Sequence, residues 1–145
     1  MIASVTDPQE KQQIARTILE ALPDWFGIEE SRERYIAESS EQTFLAAKEQ
    51  DRYVGFLCLK ETGKATIEIA VMGVLKEWHR KGLGRALFKQ AKAIAQESGY
   101  SFMQVKTVQL GVYDDYDKTN RFYRDCGFKE FEVIPELWGA ETRYM

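Results

Sequence analysis

The chain has few of the residues that build metal, disulfide and histidine-dependent sites. Among its 145 residues there are one histidine, two cysteines and three prolines. A single histidine excludes a histidine-rich metal site, and it excludes a Ser-His-Asp triad anywhere but around His79. Cys58 and Cys126 are far apart and match no zinc spacing, so we expect reduced thiols with structural roles. The sequence therefore predicts no metal site.

Long apolar runs are also missing. No run approaches the roughly 20 residues of a membrane span, and the first residues, MIASVTDPQEK, lack the apolar stretch of a signal peptide. We therefore expect a cytoplasmic protein that has no membrane partner. The chain has 23 acidic and 20 basic residues, a formal net charge of −3. This balance disfavours nonspecific binding to nucleic acid.

What the chain does contain is typical of one globular domain. Apolar residues make up 44% of its 145 residues, which is enough to bury a core within a single domain spanning residues 1–145. Periodicity predicts strands and helices in alternation. The predicted strands are Ile2–Thr6, Thr43–Lys48, Tyr53–Lys60, Thr66–Leu75, Phe102–Val108 and Phe128–Ile134. The predicted helices are Pro8–Leu22, Glu29–Ser39, Gly82–Ser98 and Thr119–Cys126. This order predicts an α/β (α+β) protein with a mixed sheet and helices on both faces.

The most informative stretch is VMGVLKEWHRKGLGRAL, residues 71–87. The apolar run Val71–Leu75 leads into a basic, glycine-bearing turn, His79–Gly84, which opens an amphipathic helix. Unpaired amides and the helix dipole bind anions at such a terminus, and glycines let a ligand approach the backbone. The basic residues around the turn are Arg80, Lys81 and Arg85. The pattern favours a ligand that carries phosphate, although a plain turn before a helix fits the same residues.

Two other phosphate-binding motifs do not fit. A dinucleotide-binding fingerprint needs a third glycine or alanine at position 87, where Leu87 stands, and it needs an early βαβ unit. A Walker-type loop needs Gly-Lys followed by Ser or Thr, whereas Gly63 and Lys64 are followed by Ala65. The turn is therefore of another kind.

Two further features accompany the turn. Glu68 lies on the strand that precedes it, and the segment NRFYRDCGF, residues 120–128, reads as a short helix that carries Tyr123 and closes on Gly-Phe. Together these pieces resemble the GNAT superfamily of acetyl-coenzyme A-dependent N-acetyltransferases over nearly the whole chain. The family signature is Arg or Gln, two residues, Gly, one residue, then Gly or Ala. Here it reads HRKGLG, so the glycines match and His79 replaces the Arg or Gln.

The resemblance implies a GNAT-like fold and a coenzyme A site. The central sheet is then mostly antiparallel, with a splay between the strand ending near Leu75 and Phe102–Val108. The pantetheine arm of acetyl-CoA is expected to pair with the strand backbone as an added strand does. The residues implied for this pairing are Met72, Gly73 and Val74. The residues implied for the diphosphate are His79, Arg80, Lys81, Gly82, Leu83, Gly84 and Arg85.

The resemblance also implies two catalytic residues. Tyr123 matches the tyrosine that protonates the leaving thiolate in many relatives, and Glu68 matches a strand glutamate that serves as base in some. Each residue has a plainer interpretation. Tyr123 can be a packing aromatic, although Phe122 beside it is expected to be the core partner. Glu68 can be a solvated residue on an edge strand, with water acting as the base.

The acceptor side is expected at the loop Pro23–Ile28, where relatives place an acceptor-binding segment. The candidate residues are Trp25, Phe26 and Glu29, because acidic residues suit a protonated amine. The alternative is that the two aromatic residues pack the second helix onto the sheet. The acidic run Asp114–Asp117 and Trp138 are further candidate rims.

The expected function is transfer of an acetyl group from acetyl-CoA to a primary amine of a small molecule by direct transfer, with coenzyme A as product. Acetylation of a protein or peptide amine, a non-catalytic coenzyme A sensor and a nucleotide-binding fold of other chemistry stay open. Only Glu141–Met145 remains for a final strand, so we expect that strand to be short or absent. An uncovered sheet edge is one motive for expecting a homodimer.

Overall fold

The computed structural model describes residues 1–108, 114–130, 132–133 and 142–144. The chain divides into two compact units, Met1–Met103 and Gln104–Met145. The strands are β1 (Ile2–Val5), β2 (Thr43–Glu49), β3 (Arg52–Gly63), β4 (Thr66–Val74), β5 (Phe102–Val108), β6 (Glu132–Val133) and β7 (Thr142–Tyr144). The helices are α1 (Pro8–Glu20), α2 (Pro23–Phe26), α3 (Glu29–Ser39), α4 (Leu83–Glu97) and α5 (Asp114–Asp125), with a 3-10 turn at Lys76–Trp78.

Most predicted elements are confirmed within a few residues, and three are wrong in extent or type. α5 begins at Asp114 rather than Thr119, so the acidic run at its start is helical. β6 has two residues where a seven-residue strand was expected. The segment expected to be a loop begins with the helical turn α2, in which the amides of Trp25 and Phe26 donate to the carbonyl of Leu22. Pro23 suits the first helical position, because the N–H that it lacks has no intrahelical partner there.

Four strands of the first unit pair antiparallel in chain order, β1 with β2, β2 with β3, and β3 with β4. The turn from β2 to β3 is made by Gln50 and Asp51, both with positive φ, 52° and 63°. A two-residue turn of this kind matches the right-handed twist of the strands that it joins.

A β-bulge lies in the middle of β4. Cys58 pairs with Val71 and Leu59 pairs with Ile69, so two neighbouring residues of β3 face two residues of β4 that are separated by Ala70. The extra residue bends the strand and increases its local twist. The bulge therefore separates the half of β4 that carries Glu68 from the half that leads to the basic turn.

Helices cover both faces of this sheet, as predicted. A Cβ atom added to Gly73 would lie 3.2 Å from side-chain atoms of both Ile18 and Leu22, so α1 covers that face. A Cβ atom added to Gly55 would lie 3.5 Å from Leu87 of α4. Gly55 is next to Phe56, the register partner of Gly73, and neighbouring strand residues point to opposite faces. α1 and α4 therefore lie on opposite faces.

The core beneath α1 is built on stacked aromatic rings. Phe44 and Phe56 are fully buried, and their ring centroids are 5.2 Å apart with an interplanar angle of 15°. Ile18 and Leu19 of α1 are also fully buried. α1 is fixed at its start by Asp7, whose side chain accepts a hydrogen bond from the amide of Glu10. This packing holds the end of β4 in place.

Gly73→Val is expected to destabilise the protein by about 1–3 kcal/mol. The added branches enter space in which even a Cβ atom is 3.2 Å from Ile18 and Leu22. Gly63→Val is the matched control, because a Cβ atom at Gly63 meets nothing within 4 Å. Urea unfolding of both variants makes the measurement. Equal stabilities for the two variants would contradict the close approach of α1 to β4.

The second unit contains an antiparallel ladder in which β7 pairs with both β5 and β6. The structure describes three residues of the final strand, and the residues on either side of them lie outside the described ranges, so the expectation that the strand is short stays a prediction. α5 ends where Gly127 adopts a φ of 106°, as its place after the helix predicts. The candidate rim residue Trp138 lies outside the described residues. The splay between β4 and β5 and the single-domain organisation stay predictions.

Within the ranges that the structure describes, no helix is long and apolar enough to cross a membrane.

Candidate functional site

One edge of β4 turns its backbone groups away from β3. The amide of Leu75 donates to the carbonyl of Val54 at 2.8 Å, so the backbone groups of Leu75 point toward β3. Successive residues of a strand point these groups to opposite sides. The backbone groups of Met72 and Val74 therefore point to the other edge, and those of Gly73 point toward β3.

The turn after β4 is held in an unusual backbone conformation. Arg80 has a φ of 62° and Gly82 a φ of 81°. Glycine adopts the left-handed region at no steric cost, whereas an arginine there is strained. The turn has to reverse sharply between the 3-10 turn and α4, and both positive φ values serve that reversal.

The start of α4 presents free amides to solvent. The amide of Ala86 donates to the carbonyl of Gly82 at 3.0 Å, so the amides before it have no acceptor within the helix. These amides belong to Leu83, Gly84 and Arg85. No acidic residue stands in the first turn, and Gly82 has no side chain that could cap it. The terminus is therefore open to an anionic ligand.

Three cationic side chains surround this terminus. Arg80, Lys81 and Arg85 are all exposed. The Lys81 ammonium lies 5.0 Å from the centre of the Trp78 ring, which favours a position beside the turn. The turn thus combines free amides with positive charge, as its sequence predicts.

His79 turns its side chain toward β4. Its Nε2 lies 2.6 Å from the carbonyl oxygen of Val74. A carbonyl oxygen only accepts, so Nε2 carries the proton and donates. The ring also meets Trp25 edge to face, with centroids 5.6 Å apart and an interplanar angle of 72°. His79 therefore joins β4 to α2.

The segment predicted to bind the acceptor is fixed by several contacts. Trp25 faces His79, whereas Phe26 packs edge to face on Tyr35 of α3 with centroids 6.0 Å apart. Asp24 forms a 2.8 Å ion pair with Lys76. Phe26 thus contacts α3, while Trp25 packs on the turn after β4.

An acidic surface remains beside this segment. Glu29 and Glu30 are exposed in the first turn of α3. Both carboxylates lie at a helix N-terminus, where the helix dipole stabilises negative charge.

Glu68 is buried, which contradicts the interpretation as a solvated residue on an edge strand. Its side chain is 4% exposed and lies 3.5 Å from the ammonium of Lys60, its register partner on β3. Lys60 is 38% exposed, so the pair reaches from the interior of the sheet to solvent. A buried carboxylate is a candidate for proton transfer when a substrate or a water can reach it within hydrogen-bond distance.

Tyr123 is a buried residue of α5 in the second unit. It is 8% exposed, and its ring meets those of Phe122 and Phe128 edge to face, with centroids 5.6 and 5.7 Å away. Phe122 is only half-buried, so the expectation that Phe122 is the core partner is wrong. Asn120, one helical turn earlier, is fully buried.

Cys58 behaves as a structural thiol. Burial raises its pKa well above the ordinary range, so it stays protonated and unreactive. Cys126 is a free, half-buried cysteine. Among the described residues no group of three or more His, Cys, Asp or Glu side chains is placed to hold a metal ion.

Known proteins share this class of fold. It combines a mostly antiparallel sheet, helices on both faces and a basic glycine turn after the fourth strand. Residues 10–128 match the model of the acetyltransferase (GNAT) family. The chain belongs to this family. The predicted fold class and family are confirmed.

Known relatives agree with this assignment. An uncharacterized N-acetyltransferase of Chlorobaculum tepidum is 28% identical over 89 residues, which are 61% of this chain and 51% of the relative. The chain thus spans about half the length of that curated relative.

Two solved structures share the fold. One, described as an acetyltransferase of the GNAT family from Desulfovibrio desulfuricans, gives a TM-score of 0.80 at 19% identity, covering 100% of this chain and 97% of that one. The PaiA N-acetyltransferase from Thermoplasma acidophilum, solved with coenzyme A, gives 0.72 at 20% identity, covering 99% and 98%.

Sequence reasoning missed three features of the site. It did not find the bulge at Ala70, the Lys60 partner of Glu68, or the bond from His79 to Val74. The first two depend on the pairing of β3 with β4. The bond from His79 to Val74 had one signal in the sequence. Histidine replaces the Arg or Gln of the family signature, which indicates that this position differs from its counterpart in relatives.

Proposed function

We propose that this protein transfers an acetyl group from acetyl-CoA to a primary amine of a small molecule by direct transfer. The observation that carries the proposal is the open, cationic start of α4 placed directly after a strand edge with outward-facing backbone groups. These features suit the two chemically different parts of coenzyme A, a diphosphate and an amide-bearing arm.

The turn His79–Arg85 would hold the diphosphate through the residues that follow His79, whose own side chain bonds to Val74. The amides of Leu83, Gly84 and Arg85 would donate to phosphate oxygens, and the dipole of α4 would favour their charge. Arg80 and Arg85 supply positive charge from the side. The strained φ of Arg80 fits this role, since strained backbone concentrates at ligand clamps.

Of the predicted residues Met72, Gly73 and Val74, the first and the last would hold the pantetheine arm through their backbone groups. Met72 and Val74 offer amide and carbonyl groups at the edge that faces away from β3, so the arm can pair there as an added strand. Bound acetyl-CoA supplies the acyl thioester. The amide of Gly73 points toward β3, so this geometry does not favour it as a donor to the thioester carbonyl.

Glu68 would accept the proton of the amine. An alkyl ammonium has a pKa of about 10, so little neutral amine exists at pH 7 without a base. Glu68 lies four residues before Met72, or about 13 Å along an extended strand. This separation leaves room for the end of the cofactor arm and for a water that relays the proton.

Tyr123 would donate a proton to the departing sulfur. A thiol has a pKa of about 8.5, so thiolate is a tolerable leaving group, and the donor matters less than for an alkoxide. No covalent bond to the enzyme is required. Water-mediated proton transfer by Glu68 and donation by Tyr123 together complete direct transfer.

Trp25, Phe26 and Glu29 would line the acceptor side. The exposed carboxylates of Glu29 and Glu30 suit a protonated amine, while Asp24 is occupied by Lys76 at 2.8 Å. A small amine with an apolar body matches this combination of Trp25 and acidic groups. A homodimer and a cytoplasmic location stay predictions.

Steady-state release of thiol from acetyl-CoA, measured over a panel of small primary amines and short peptides, tests the proposal. We expect release with at least one small amine and little with peptides. Preference for peptides would replace the substrate class. Coenzyme A binding without release of thiol for any amine would favour a non-catalytic sensor. The ion pair of Glu68 with Lys60 is compatible with that outcome, because a paired carboxylate can be purely structural.

Glu68→Gln is expected to lower turnover at pH 7 by about 100-fold or more and to move the pH–rate profile toward high pH. Without the carboxylate, the rate follows the fraction of free amine, which rises toward pH 10. Glu61→Gln is the matched control, because Glu61 is exposed and accepts a hydrogen bond from Tyr100. An unchanged profile for Glu68→Gln would leave water as the base.

A further inference from the structure

The imidazole of His79 contacts two parts of the site that have different roles. Its Nε2 donates to Val74 at 2.6 Å, and its ring packs edge to face on Trp25. Val74 belongs to the edge proposed for the cofactor arm, and Trp25 belongs to the segment proposed for the acceptor. One side chain therefore stands between cofactor and acceptor.

The Val74 carbonyl is the acceptor that an added strand needs. It faces away from β3, because the neighbouring Leu75 bonds to Val54 on the β3 side. An amide N–H of a paired arm would approach this oxygen near the plane of the carbonyl, which hydrogen bonds prefer. The Nε2 atom of His79 already lies 2.6 Å from this oxygen. A carbonyl oxygen has two lone pairs, so an arm amide that approaches along the one bonded to Nε2 would displace the imidazole.

We infer that His79 is a positioning residue that exchanges partners when the cofactor binds. In the free protein Nε2–H bonds to Val74 and the ring holds Trp25. Pairing of the arm with Val74 releases the imidazole and removes the ring contact of Trp25. The inference rests on the proposed function. It predicts that His79 lowers the affinity for coenzyme A, whereas a residue that bound the diphosphate would raise it.

The exchange would prepare the acceptor side. Once His79 has left, α2 keeps the contact of Phe26 with Tyr35, and it keeps the exposed ion pair of Asp24 with Lys76 and the cation–π contact of Lys76 with Trp25. Exposed ion pairs constrain a segment only weakly. The Trp25 ring then loses its edge-to-face contact with His79, so coenzyme A binding is expected to let this ring pack on the acceptor and to improve acceptor binding.

Two substitutions separate the two contacts. His79→Phe keeps a ring for Trp25 and removes the donor to Val74, whereas His79→Gln keeps a donor and removes the ring. Calorimetric titration with coenzyme A is expected to show binding about 2- to 10-fold tighter for His79→Phe, the range that one hydrogen bond contributes. The affinity of His79→Gln for coenzyme A is expected to stay within about twofold of that of the original protein, because the glutamine amide can still donate to Val74.

The outcomes separate the inference from the proposed function. Weaker binding by His79→Phe would overturn the inference and make His79 a ligand of the cofactor. Absence of coenzyme A binding by the unsubstituted protein would overturn the proposed function and the inference with it.

A spectroscopic readout follows the second contact. The chain has three tryptophans, so Trp78→Phe with Trp138→Phe leaves Trp25 as the only one. In that background coenzyme A is expected to change Trp25 emission when residue 79 is histidine, and to change it much less in His79→Gln and His79→Phe. Equal changes in all three proteins would contradict the exchange.

Discussion

Gly84→Glu is expected to abolish coenzyme A binding while the protein stays folded. Gly84 is the second residue of α4, and its amide is one of those that have no acceptor within the helix. A carboxylate at this position places bulk and negative charge where the diphosphate is proposed to lie. We expect affinity to fall by at least about 100-fold, or about 2.8 kcal/mol.

The same substitution is expected to keep or raise the stability of the free protein. A negative charge in the first turn of a helix stabilises it by about 0.3–1 kcal/mol, and α4 has no acidic residue there. Thermal unfolding without ligand therefore separates loss of binding from loss of fold. With coenzyme A at 100 times its dissociation constant, the free energy of unfolding of the original protein is expected to rise by about 2.7 kcal/mol. That of the variant is expected to stay the same.

Two controls divide the effect into its causes. Gly84→Gln adds the same bulk without the charge and is expected to weaken binding less. Gly63→Glu adds the charge where a Cβ atom meets nothing within 4 Å, and it is expected to leave binding unchanged. Unchanged affinity for Gly84→Glu would remove the diphosphate from the start of α4.

Tyr123→Phe is expected to lower turnover by about 100-fold with little change in coenzyme A affinity. The value lies at the low end of the range for general acid catalysis, because a thiolate leaves more easily than an alkoxide. Phenylalanine keeps the ring that packs on Phe122 and Phe128, so the fold is expected to persist. Steady-state thiol release with the best amine of the panel gives turnover, and calorimetry gives affinity.

Tyr100→Phe is the matched control for loss of a phenolic hydroxyl. Tyr100 is half-buried, and its hydroxyl donates to Glu61 at 2.8 Å, an exposed hydrogen bond. We expect ordinary turnover from this variant. Ordinary turnover from Tyr123→Phe as well would leave Tyr123 as a packing residue and assign the proton to water.

The regular elements were predictable because their signals are local. Helical spacing of apolar residues and a proline at the first helical position fixed α1, and Gly99 and Gly127 marked the ends of α4 and α5 with φ values of 85° and 106°. The turn after β4 was predictable for the same reason. Its glycines and basic residues are adjacent in the chain, so no knowledge of distant contacts was needed.

The burial of Glu68 was not predictable from alternation. Alternation along a strand places Ile67 and Ile69 on one face and Glu68 on the opposite face, which is solvated when only one face of a sheet packs on the core. In the structure both faces of the sheet are covered, by α1 and by α4, so residues of either parity are buried. The bulge at Ala70 was not predictable either, because a bulge is defined by how one strand pairs with its neighbour, and the register of β4 against β3 cannot be read from β4 alone.

The division of roles between Trp25 and Phe26 also depends on tertiary contacts. The two residues are adjacent, equally aromatic and placed in one short segment. The helical turn α2 points one toward His79 and the other toward Tyr35. Phe122 and Tyr123 show the same limit, because hydropathy favours the phenylalanine whereas the phase of α5 buries the tyrosine.

A crystal structure with acetyl-CoA bound tests the central claim most directly. The account predicts diphosphate oxygens within hydrogen-bond distance of the amides of Leu83, Gly84 and Arg85, and the pantetheine arm paired with Val74. A cofactor whose phosphates lie elsewhere, with these amides bonded to solvent or to a side chain of the protein, would contradict it.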